Sequence, residues 1–271
     1  MTFEPQVSSR QNPRFKAALA LRGARERKER RLILVDGARE IGRALDSGAR
    51  LAESWVAPDD VREEEARALL PRLSAEAEIV QATPDLLERL AYGERSGGIV
   101  AVFEEPTTDL GALRLRDEPL IAVVERVEKP GNLGALIRSA DGAGLDAVIV
   151  ADPASDTWNA NAIRASLGTI FSLPLAACST AEAVAFLRQR RISIVAARVD
   201  GERDYDAVDY RRATAIVVGS ENAGLGEAWS GEGVMTVRIP MLGAADSLNV
   251  SASAAVLFYE ARRQRRASSG S

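Results

Sequence analysis

The 271 residues carry 35 Lys and Arg against 39 Asp and Glu, a formal net charge of −4, in a chain that is 46% hydrophobic and 27% charged. That is the balance of a globular chain with one large domain or two ordinary ones. The absence of histidine, with a single cysteine at Cys178, excludes serine–histidine and cysteine–histidine catalysis, the usual zinc sites and an internal disulfide. No apolar run is long enough to span a bilayer and the N-terminus has no apolar signal core, so a cytoplasmic protein is expected, with no membrane partner and no metal.

Residues 12–22 predict a helix, with Pro13 in its first turn. Basic side chains crowd this region: Arg10, Arg14, Lys16, Arg22, Arg25, Arg27, Lys28, Arg30 and Arg31, against Glu26 and Glu29. On an acidic protein such a segment fits either a polyanionic partner or a solvated helix face. Residues 32–35 predict a strand running into Asp36 and Gly37. A helix over 38–47, a strand over 51–57 and an amphipathic helix over 59–73 follow. Residues 79–80 form a short strand, Thr83 is the expected cap of another helix, and 98–103 read as a buried strand. Together these make a small α/β unit of residues 1–105. The polar, proline-bearing stretch that follows supplies a linker, 106–117.

The second half, 118–266, opens on a continuous apolar strand at 119–124, the kind that a sheet covered on both faces requires. Helix 132–143, strand 147–150, helix 160–166 and the run 173–175 come next. Ser179 and Glu182 form a capping box for a helix ending at 190. Cys178, beside Leu175 and two alanines, is expected as a small core residue. Strands at 192–197, 213–218 and 234–239 precede a last helix from 252 that ends in Arg262, Arg263, Arg265 and Arg266, suited to the helix dipole. Residues 267–271 are expected to be disordered. Alternation of this kind argues for an α/β fold with a mainly parallel sheet.

Three strand-to-helix loops carry the chemistry. The first, 128–135, has Gly131 and Gly134 for close backbone approach and Asn132 as a helix cap; Arg138 follows on an otherwise apolar helix, where a buried guanidinium needs an anionic or carbonyl partner. The second, 217–225, surrounds Glu221 with small residues. The third, 239–251, places Ser247 as a helix cap and Asn249 where it can hold loop carbonyls. Each one alone passes as ordinary capping. Gly131 and Gly134 also match half of a dinucleotide fingerprint, with Asp152 near the acidic position; a NAD-dependent oxidoreductase is the reading that this leaves open.

Taken in order, the three loops resemble the signature motifs of the SpoU (TrmH-like) branch of the SPOUT RNA methyltransferases: Asn-Leu-Gly-Ala-x-x-Arg at 132–138, Gly-Ser-Glu-x-x-Gly-Leu at 219–225, and Ile-Pro-Met-x-Gly followed by Ser-Leu-Asn-Val-Ser at 239–251. Residues 161–171 resemble the segment between the first two motifs. Asp246 stands where many members have Glu. Residues 9–14 and 34–40 resemble the accessory substrate-binding domain, similar to ribosomal-protein-type RNA-binding α/β domains, with Asp36 in place of the commoner Glu. The resemblance implies a C-terminal α/β-knot domain with a deep trefoil knot, a homodimer whose active site uses both subunits, and S-adenosylmethionine-dependent methylation of a ribose 2′-hydroxyl in RNA. Ribosomal RNA, 23S in particular, is expected ahead of tRNA. It further implies Asn132, Arg138, Glu221, Ser247 and Asn249 at the reaction site. Ala197, Gly219, Ile239, Met241 and Leu248 would sit around the cofactor, and Arg10, Arg14, Lys16 and Arg164 would face RNA. The competing class is a non-catalytic RNA-binding protein on the same scaffold; the presence of every polar motif residue argues against it.

Overall fold

The apolar runs predicted as buried strands do lie at the centre of sheets. A computed structural model describes residues 6–92, 97–220 and 224–268, which divide into two compact units.

The first unit spans residues 1–106 together with 158–172. Its elements in chain order are α1 (Pro13–Ala20), α2 (Ala24–Arg30), β1 (Leu32–Asp36), α3 (Ala38–Asp46), β2 (Leu51–Val56), α4 (Glu64–Glu76), β3 (Ile79–Gln81), α5 (Pro84–Leu90) and β4 (Ile99–Glu104). The four strands form one sheet in the order β1-β4-β2-β3, antiparallel across β4 and parallel between β2 and β3. Asn12 caps α1, its side chain accepting from the amides of Arg14 and Phe15. The basic stretch beyond Gly23, not expected as a helix, forms α2; the Arg27 guanidinium is buried and donates to the carbonyls of Leu21 and Arg22. Helix α4 starts at Glu64, five residues later than the periodicity predicts, and continues through Pro71 to Glu76; residues 58–60 form a 3-10 turn instead. Thr83 occupies the cap position of α5 without a side-chain capping bond.

The second unit spans residues 107–157 and 173–271. It contains β5 (Leu120–Glu125), α6 (Pro130–Ala143), β6 (Ala147–Ala151), β7 (Leu175–Cys178), α9 (Thr180–Gln189), β8 (Ser193–Ala197), β9 (Arg203–Asp204), β10 (Thr214–Val218), β11 (Val234–Arg238) and α10 (Val250–Ser268). Two short helices, α7 (Ala160–Ala165) and α8 (Thr169–Ser172), fall between β6 and β7 in sequence but belong to the first unit. The seven strands form one parallel sheet, β7-β6-β5-β10-β8-β11-β9. Its central strands are buried along their whole length, which is why they read as unbroken apolar runs. The capping box at Ser179 and Glu182 is present. Cys178 is half-buried at the end of β7; burial, with Glu182 and Asp152 nearby, pushes its thiol up to about 11.

Strand order turns outward in both directions from the β5–β10 pair. Such a reversal leaves an open crevice at the carboxyl ends of the strands, because the connecting loops there diverge. The second and third loops leave the carboxyl ends of β10 and β11.

Candidate active site

The carboxyl ends of β8, β10 and β11 and the loops that leave them enclose a cleft of about 740 Å³, large enough for a nucleoside-sized ligand. Ala197, Gly219, Ile239, Met241 and Leu248 all line it, as do Ser247 and Asp246. Arg198 and Asp200 line it too. They pair with each other, Nε to Oδ1 at 2.9 Å, and were not singled out from sequence. Their position directly after the strand end at Ala197 was the available signal.

In the second loop, residues 219–220 lie against residues 224–225. The Gly224 amide donates to the Ser220 carbonyl at 3.1 Å. A Cβ at Gly219 would collide with the Gly224 carbonyl and lie 2.8 Å from the Leu225 nitrogen, so the loop closes only over a residue without a side chain. Glu221, in the same loop, lies outside the described residues.

The third loop is irregular from 239 to 249, and α10 begins at Val250. Asn249, not Ser247, caps it. The Asn249 Oδ1 accepts from the Ser251 amide at 2.9 Å and from the Ser251 hydroxyl at 2.6 Å. Ser247 is therefore free of a capping role and stands exposed on the cleft. Asn132 is likewise not a cap. Pro130 starts α6 and Lys129 takes the cap position, which puts Asn132 inside the first turn, as a proline at N1 dictates. There the Asn132 Oδ1 accepts from the Asn249 Nδ2 at 3.5 Å, so the first and third loops meet through two amides.

Arg138 corrects the expectation of a buried-face arginine. It is exposed on α6 and is not among the residues that line the cleft. Asp152 is engaged elsewhere: it accepts from the Thr180 amide at 3.1 Å, shares the Thr180 hydroxyl at 2.8 Å and pairs with Arg126. Those hydrogen bonds, with Arg126 beside them, hold its carboxyl below the usual range.

The cleft fits S-adenosylmethionine chemically. Backbone groups and apolar side chains from the second and third loops suit an adenine and a thioether-like chain, and the Asp246 carboxylate suits a sulfonium cation. No group of His, Cys, Asp and Glu that could hold a metal occurs among the described residues.

The four arginines and lysines expected to face RNA belong to the first unit, and all are engaged within it. Arg10 pairs with Asp85 at 2.9 Å. Arg14 pairs with Glu53 at 2.6 Å and Glu78 at 3.0 Å. Lys16 donates to Gln11. Arg164, on α7, meets the buried carboxylate of Asp36 at 2.6 Å. Asp36 also accepts from the Tyr92 amide at 3.1 Å, and Arg43 donates to the Leu167 carbonyl. Gly168, at φ 80°, lets this segment close on the backbone of Glu40. Residues 158–172 are thereby fastened to β1 and α3, an attachment that the lone match of Asp36 to a motif did not reveal.

Fold and site together define a two-unit α/β protein with a nucleoside-sized cleft at the end of a parallel sheet. The pattern of the SpoU rRNA Methylase family matches residues 119–259, and that of the MRM3-like substrate binding domain matches residues 12–101. A 23S rRNA (uridine(2479)-2'-O)-methyltransferase of Streptomyces viridochromogenes is 35% identical, covering 96% of this chain and 92% of its own. The crystal structure of the SpoU methyltransferase AviRb from that organism, in complex with AdoMet, superposes with a TM-score of 0.87 at 34% identity, covering 94% of this chain and 99% of that one. A 23S rRNA (guanosine(2553)-2'-O)-methyltransferase of Bacillus subtilis is 27% identical over 95% of this chain and 99% of its own. The chain belongs to the SpoU rRNA methylase family.

Proposed function

We propose that this chain is an S-adenosylmethionine-dependent methyltransferase acting on a ribose 2′-hydroxyl of 23S ribosomal RNA. The observation that carries the reading is the convergence of Ala197, Gly219, Ile239, Met241 and Leu248 on one cleft, beside the Asn132–Asn249 pair. The relatives named above, 23S rRNA 2′-O-methyltransferases and an AdoMet-bound structure, support it.

S-adenosylmethionine supplies an electrophilic methyl group when bound. The backbone of the second and third loops holds it, and Asn132, Asn249 and Ser247 orient the ribose by hydrogen bonds. Arg138 presents only N–H donors, so it is not assigned the part of the base. Its role is to hold an RNA phosphate and to stabilise charge developing on the 2′-oxygen. Without histidine, the proton passes to Glu221, to water or to the RNA phosphate.

A homodimer accompanies this reading. Arg138 is exposed outside the cleft lining of its own chain, and Leu242 on the third loop is 100% exposed; a second copy would use both. A trefoil knot in the second unit is part of the same reading. Among the described residues no helix is long and apolar enough to cross a membrane.

The test combines calorimetry with a methylation assay. Binding of S-adenosylmethionine but not NAD, and a 2′-O-methyl mark on 23S rRNA, are expected. Binding of NAD alone would return the chain to the oxidoreductase reading, and cofactor binding without methylation of any RNA would support the non-catalytic one.

A further inference from the structure

Behind the second loop, out of contact with the cleft, lies a carboxylate that the proposed reaction does not use. Glu125 ends β5 and is 1% exposed. Its Oε2 accepts from the Gly226 amide at 2.7 Å, and its Oε1 lies 2.9 Å from the Thr180 hydroxyl oxygen, whose one proton it shares with Asp152. That hydroxyl also lies 2.8 Å from Asp152 Oδ2. The ends of β5 and β6 and the first turn of α9 therefore meet at one buried polar cluster.

The contact with Gly226 is close as well as hydrogen-bonded: a Cβ there would sit 3.3 Å from Oε1 and 3.4 Å from Oε2. The two residues before it, Gly224 and Leu225, line the cleft. Gly224 turns back on Ser220. The loop is thus pinned at both ends, by its own turn on one side and by Glu125 on the other. A buried carboxylate is costly unless its oxygens are bonded. Here the partners are a neutral hydroxyl and a backbone amide, so the direction of these donors, and not a cation, fixes the group.

We propose that Glu125 is a positioning residue for methyl transfer. Through Gly226 it holds Gly224 and Leu225 in place at the wall of the cofactor cleft, and it touches neither cofactor nor RNA. The inference rests on the reading of that cleft as the S-adenosylmethionine site.

Three variants separate positioning from general stability. Glu125→Gln keeps a carbonyl acceptor for the Gly226 amide and adds an amide donor for the Thr180 oxygen. Glu125→Ala removes both interactions. Thr180→Val removes only the one remote from the loop. Titration of the full chain with S-adenosylhomocysteine is expected to give a dissociation constant raised about tenfold or more in Glu125→Ala, where the loop amide is orphaned. Glu125→Gln and Thr180→Val should stay within about threefold of the unaltered chain, although Thr180→Val lowers the melting temperature as Glu125→Ala does. If Glu125→Ala does not fold, Gly226→Ala crowds the same carboxylate from the loop side and should raise the dissociation constant in its place. Unchanged affinity in Glu125→Ala, or in Gly226→Ala where that stands in, overturns the inference. So does affinity that falls equally in Thr180→Val in step with its melting temperature. An unaltered chain that binds no S-adenosylhomocysteine overturns the reading of the cleft, and this inference with it.

Discussion

The two units use their polar groups in opposite ways. In the second, seven parallel strands send all their carboxyl ends to one edge of the sheet, so loops far apart in sequence converge there. Its motif side chains Ser247 and Arg138 are exposed, on a loop and a helix respectively. In the first, β4 runs antiparallel to both neighbours, no common edge exists, and the conspicuous cations Arg10, Arg14 and Arg164 are each closed by a carboxylate. A basic stretch in a sequence is therefore not a basic surface: its neighbours in space decide.

The contrast is sharpest at Arg138 and Arg164. Arg138→Ala is expected to lower kcat for RNA methylation by about a thousandfold or more, as for loss of a transition-state donor, while leaving S-adenosylmethionine affinity nearly unchanged. Single-turnover rates with calorimetry check this; a parallel loss of cofactor affinity would remove Arg138 from the reaction and place it in the structure. Gly219→Ala should weaken S-adenosylmethionine binding by about tenfold, because the added methyl meets the Gly224 carbonyl. On the other side, Asp36→Ala should cost about 2 kcal/mol of stability by leaving Arg164 and the Tyr92 amide unpaired, without altering cofactor affinity. Thermal melts with and without S-adenosylhomocysteine decide it, and a loss of affinity larger than the loss of stability would break the division. The smallest effect belongs to Arg10→Glu with Lys16→Glu: RNA affinity should fall modestly and the salt dependence of log K should flatten by about two. An unchanged slope would leave those residues as a solvated, internally paired face.

Most strands of the second unit were legible because full burial writes itself as an unbroken apolar run, as at 119–124 and 213–218. The loops were legible as places, and the family resemblance named their residues. Cap positions were not. Asn132 and Ser247 are both good capping residues by type, yet Pro130 starts one helix two residues before Asn132 and Asn249 outcompetes Ser247 at the other. The burial of Glu125 and Asp36 was also out of reach. Each is paired across long stretches of chain, with Gly226 and with Arg164, and no local periodicity records a contact of that kind. Helix α2 was missed because its seven residues, mostly charged, carry no apolar stripe.

The central claim is that the cleft and its three loops methylate a ribose of 23S rRNA. It is tested most directly by incubating the purified chain with S-adenosylmethionine and unmodified 23S rRNA and mapping 2′-O-methyl groups nucleotide by nucleotide. One ribose is predicted to gain the mark with the unaltered chain and none with Arg138→Ala. A methyl group on a base, a mark confined to tRNA, or equal methylation by the Arg138→Ala chain would contradict the account.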